Sequence, residues 1–140
     1  MTETAVEFIE PSRPSPPRGY EVIEAPVLER WQQRDTQANT VAVHWIQPLA
    51  RVRFANIERE FGHSSRGSHE ITLEDPNSAV SKFEYTLHFR SGRSNVSVVG
   101  RSKLTSTSDT YNPVVTLEVR EDDDIVFERV WDRVLDRAYS

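Results

Sequence analysis

The stretch at residues 80–133, VSKFEYTLHFRSGRSNVSVVGRSKLTSTSDTYNPVVTLEVREDDDIVFERVWDR, decides the fold. Phe83, Tyr85, Leu87 and Phe89 alternate with Lys82, Glu84, Thr86 and His88. Alternation at period two sends large apolar side chains to one face of a strand and polar ones to the other. Ser91-Gly92 supplies a turn, and Val96 and Val98 open a second run that continues through Arg101 and Leu104. The polar cluster Thr105 to Asn112 interrupts it. Val115, Leu117 and Val119 then define the inward side of a third run, opposite Thr116, Glu118 and Arg120. Glu121-Asp122-Asp123-Asp124 turns the chain, and Ile125 to Trp131 returns as a fourth strand. β-Branched and aromatic runs punctuated by Gly, Pro, Asn and Asp predict an antiparallel meander.

Upstream, Leu28 to Arg34 and Thr40 to Ile46 predict a hairpin across Asp35–Asn39, with Pro48 ending its second strand; a short helix after Pro26 is the alternative. Arg51 to Phe61 reads as a strand whose phase slips near Asn56, the mark of a bulge or a change of partner. Gly62 to Gly67 reads as a loop, His69 to Leu73 as a short strand, and Glu74 to Ser78 as a turn around Pro76. Residues 1–19 read as an extended, flexible Pro-rich tail, because proline lacks the backbone donor that sheets need; a partner-docking polyproline segment is the alternative. Residues 20–140 then make one all-β antiparallel domain of about eight strands, with turns spaced as in sandwiches and barrels.

Charge and composition exclude several classes of function. The net charge of -5, with 17 basic residues scattered among 22 acidic ones, speaks against general nucleic-acid binding. With no cysteine there is no disulfide, thiol nucleophile or thiolate metal site. No run of the chain is long and apolar enough for a membrane span or a leader, which suggests the cytoplasm.

No catalytic constellation emerges. Gly62-His63-Ser64-Ser65-Arg66-Gly67 begins like the G-x-S-x-G elbow but has Arg66 where the last glycine belongs, and neither a buried strand nor a helix is expected around it. His44, His63, His69 and His88 lack the spacing of a zinc site. The acidic tip lacks the spaced oxygens and glycine of a calcium loop. No metal or cofactor is expected.

The segment from His69 to Arg133 resembles the end of the C-terminal domain of cocaine-esterase-like and X-prolyl dipeptidyl-peptidase-like hydrolases. The resemblance is carried, in order, by Asp75-Pro76-Asn77-Ser78-Ala79, the run Arg101 to Ser108, Leu117 to Glu121, and Val126-Phe127-Glu128-Arg129-Val130-Trp131. It covers about half the chain. It implies a jelly-roll sandwich with galactose-binding-like topology. It also implies a non-catalytic role, packed on an α/β-hydrolase core that carries the triad and is absent here.

Two functions fit. One is a non-catalytic accessory domain acting through protein–protein association, as a homo-oligomer or with a separate hydrolase subunit. Sheet edges left open by a shortened jelly roll would favour pairing with another chain. The other is a small hydrophobic-ligand binder or small β-barrel enzyme, its cavity lined by Trp31, Trp45, Phe83, Tyr85 and Phe89. Tyr111 and Trp131 complete the candidate binding residues, and Phe127 and Trp131 are expected to anchor the core.

Overall fold

A computed structural model describes residues 19–137. The strands are β1 (Glu21–Glu24), β2 (Glu29–Asp35), β3 (Thr40–Phe54), β4 (Arg59–Thr72), β5 (Asp75–Ser91), β6 (Ser94–Ser106), β7 (Thr110–Glu121), β8 (Asp124–Asp132) and β9 (Leu135–Asp136). They form one 9-stranded sheet, antiparallel throughout, in the order β1-β3-β4-β5-β6-β7-β8, with β2 on β3 and β9 on β7. The all-β antiparallel class read from the alternation is the class observed. The Pro-rich tail expected at residues 1–19 lies outside the described residues, except for Gly19.

The strands are longer than the sequence suggests. Pro48 does not end its strand. The ladder between β3 and β4 slips between Gln47 and Ala50, so proline, which cannot donate to a ladder, sits in a bulge. The bulge divides the outer edge of β3. Residues Thr40 to Ile46 pair with β2, and Arg51 to Arg53 pair with β1. The phase slip near Asn56 is a reversal of the chain, a 3₁₀ turn at Ala55–Ile57 closed by Glu58 at φ 48°. Gly62 to Gly67 is not a loop but the middle of β4, paired on both sides. Ser and Gly weaken a strand by propensity alone, and two long neighbours override that here. Pro76 likewise belongs to β5; the turn falls one step earlier, at Leu73-Glu74, with Glu74 at φ 73°.

The tight turns carry the residues that left-handed backbone favours. Gly92 sits at φ 59° between β5 and β6, and Asp122 at φ 53° between β7 and β8. Asp35 holds the β2–β3 turn by accepting from the Gln37 and Ala38 amides at 2.8 and 2.9 Å.

Directly opposed residues share a face, so the register sorts the sheet into two sides. One side carries Trp45, Gly67, Phe83, Ser102, Val115 and Trp131 in one cross-strand row. Neighbouring rows add Tyr85 with Gly100 and Leu117, then Leu87 with Val98 and Val119. The other side carries the charges. Glu84 accepts from Arg101 Nε at 2.6 Å and pairs with Arg66 Nε at 2.9 Å. Glu118 pairs with Arg120 at 2.7 Å, Glu60 with Arg53 at 2.6 Å, and Glu24 with Arg51 at 2.8 Å.

Among the described residues nothing lies on top of the apolar side. Among the described residues only Ala42 and Ala50 are buried hydrophobics, and no large side chain is fully buried. A sheet with one apolar face becomes a stable domain only when a second layer covers that face. Phe127, expected as a core anchor, is 45 % exposed.

Candidate functional site

The apolar face is organised by a continuous band of rings. His69 lies 5.0 Å from Trp45, Trp45 6.1 Å from Phe83, Phe83 6.2 Å from Tyr85, and Tyr85 5.9 Å from His63. His63 is then 6.2 Å from Phe61, and Phe61 5.2 Å from Phe89. These separations fall in the range of favourable tilted and offset ring contacts. Alternation on β4 and β5 places these side chains on one face, and the register sets them beside each other. Gln47 Nε2 lies 2.6 Å from His63 Nε2, so the amide can donate to an unprotonated ring nitrogen and fix the imidazole within the band. Gly67 makes the band possible. The Trp45 indole lies across it, where a Cβ would stand 2.1 Å from the ring.

Of the residues singled out from sequence, Trp45, Phe83, Tyr85 and Phe89 meet in this band. Trp131 shares the face near the sheet edge, under the Arg129 guanidinium at 4.9 Å. Tyr111 stands at one end, under Arg137 at 4.7 Å. Trp31 is on the opposite side, stacked on His44 at 5.2 Å and 17°. The sequence reading missed Phe61, His63 and His69 as partners of the aromatic strand. Their signal is the alternation Phe61, His63, Ser65, Gly67, His69, Ile71, which the loop reading of Gly62 to Gly67 conceals.

The charged face holds a second feature, an open cleft of about 540 Å³ lined by Trp31, His44, Arg66, Lys82, Glu84 and Arg101, among others. The sheet is not closed around it: among the described residues β2 pairs only with β3, and β8 only with β7. Ser64 sits in β4, opposite Thr86. Among the described residues no group of three or more His, Asp or Glu is placed to hold a metal ion.

Titration on the charged face tunes stability. Burial, and then the charge of Arg51, hold His88 below the usual imidazole range. For Glu84, burial pushes upward, but hydrogen bonds and charges from Arg101 and Arg66 outweigh it and leave the carboxyl below its ordinary value. Folded His88 therefore binds fewer protons than unfolded His88, and its contribution is lost as pH falls through the ordinary imidazole range. The Glu84 contribution is present above its unfolded value and is lost as pH falls through the lower folded one. The urea midpoint should drop on acidification in two stages, and His88→Gln should remove the upper stage while leaving the lower.

Comparison of the chain with protein-family models, with curated proteins and with solved structures returns no match.

Proposed function

We propose that this chain is a non-catalytic β-sheet domain that works by protein–protein association, its apolar face forming one layer of a sandwich whose other layer is a second polypeptide. The face left uncovered by the described residues carries the reading: a nine-stranded sheet with a ring band and, among those residues, only two buried alanines needs a cover. The resemblance to the C-terminal domain of cocaine-esterase-like hydrolases supports it, because that domain is non-catalytic and packs on a hydrolase core. The candidate partners are accordingly a copy of this chain or a separate α/β-hydrolase subunit.

Phe83, 39 % exposed at the centre of the face, provides the test. The tagged wild-type chain should bring down a stoichiometric partner from extracts of its own cells. Phe83→Asp should lose that partner while its far-UV circular dichroism stays unchanged. A wild-type chain that purifies as a folded monomer without any partner would count against association.

The cleft on the charged face favours a second reading, a small-ligand site. Lys82 and Lys103 stand directly opposite each other there, a costly like-charge pair that an anionic group would relieve. Trp31 offers such a ligand a ring to stack on.

A further inference from the structure

We propose that the cover of the apolar face is a second copy of this chain. The two copies pack face to face about a two-fold axis that lies between the sheets and runs along the seam of β5 and β6. This rests on the association reading above, and names its partner.

Side-chain size along the seam carries the proposal first. Each row across it sets a larger residue beside a smaller one: Phe83 beside Ser102, Tyr85 beside Gly100, Leu87 beside Val98, Phe89 beside Val96. One row further out the sizes exchange, with Ser81 beside Leu104. A two-fold axis along the seam lays β5 of one copy over β6 of the other at the same height. Large residues of each copy then fall on small residues of its partner, and Tyr85 enters the gap above Gly100. Self-complementarity of this kind is what an isologous interface requires.

Charge is the second feature. A two-fold axis brings like residues of the two copies near each other, so a self-associating face must be free of charge at its centre. From Phe61 to Ile71 on β4, Ser81 to Phe89 on β5, Val96 to Leu104 on β6 and Pro113 to Val119 on β7, the residues of this face include no Asp, Glu, Lys or Arg. The charges begin at its margins, with Arg59, Glu121 and Arg129.

Area is the third. Strands β3 to β8 span about 24 Å at ordinary strand spacing, and twelve residues of strand about 40 Å, giving roughly 1,000 Å² of face per copy. Stable complexes bury about 800 Å² on each partner.

Sedimentation equilibrium of the purified wild-type chain tests the stoichiometry, and nitroxide pairs test the geometry, since the chain has no cysteine to compete with an introduced one. Thr86→Cys on β5 and Gln33→Cys on β2 both place the label on the outer, charged side. With sheets about 10 Å apart and strands about 4.8 Å apart, the Thr86 labels should lie about 25 Å apart and the Gln33 labels about 40 Å. Gly100→Leu, which fills the gap, should weaken the dimer at least 100-fold. If that variant misfolds, the wild-type mass and the two distances still decide. A dimer with the Gln33 pair closer than the Thr86 pair is joined edge to edge and overturns the proposal. A monomer that binds a different protein through Phe83 overturns the copy and leaves association standing. A monomer that binds no protein overturns both.

Discussion

Gly67→Ala is expected to lower stability by about 3 kcal/mol, the upper end of what overpacking costs. The added Cβ would meet Trp45 ring atoms at 2.1 and 2.5 Å and the Lys82 carbonyl oxygen at 2.7 Å. Two different obstacles are involved. The indole can swing away only by leaving His69 and Phe83. The carbonyl belongs to β5 and can move only if the central ladder moves. The substitution should therefore shift the urea midpoint and change the Trp45 fluorescence together. Combining it with Trp45→Ala should cost less than the sum of the single changes, because the ring clash is then already gone, yet the backbone clash keeps the total above that of Trp45→Ala alone. A Gly67→Ala chain with wild-type stability would mean that the indole does not lie across this glycine.

Trp45→Ala should cost about 3 kcal/mol, less than a fully buried tryptophan because the ring is half-covered. It removes the link between His69 and Phe83 and uncovers β4 at Gly67. Trp31→Ala should cost under about 1 kcal/mol, since that ring is 47 % exposed and touches mainly His44. Urea unfolding of the two variants side by side checks the contrast. Equal losses would mean that the two tryptophans do not differ in cover as described.

That contrast marks how far the sequence could be read. The alternation of Phe83 to Phe89 against Lys82 to His88, and of Val115 to Val119 against Thr116 to Arg120, specifies strands and faces directly, and both hold in the structure. The hairpin across Asp35–Asn39 was equally legible, because Asp35 and Asn39 are turn residues between β-prone runs. What composition obscures is the middle of β4. Ser64, Ser65, Gly62 and Gly67 resemble a loop when taken alone; Gly67 is small because the Trp45 indole lies across it, and Gly62 sits where Arg51 and Leu49 crowd the strand from the other side. Pro48 misleads in the same way, since one bulge is enough to carry a strand past it. Trp31 and Trp45 cannot be assigned to opposite faces until the register of β2 on β3 is known.

The meander also sets the order in which the protein can be made. From β4 to β8 each strand pairs with the one just before it, and the β5–β6 and β7–β8 turns are two residues long. Closing such short loops costs little chain entropy, so a nascent chain can zip up one hairpin at a time as it leaves the ribosome. Each new strand becomes the growing edge. The ring band is complete once β5 has been added, before β6 to β8 exist. The sticky surface is therefore born early, and the nascent chain must shield it while the rest of the sheet is still being synthesised. At β8, Glu128, Arg129 and Asp132 put charge on the outer edge and discourage a stray strand from continuing the sheet, while the short β9 that follows returns to β7.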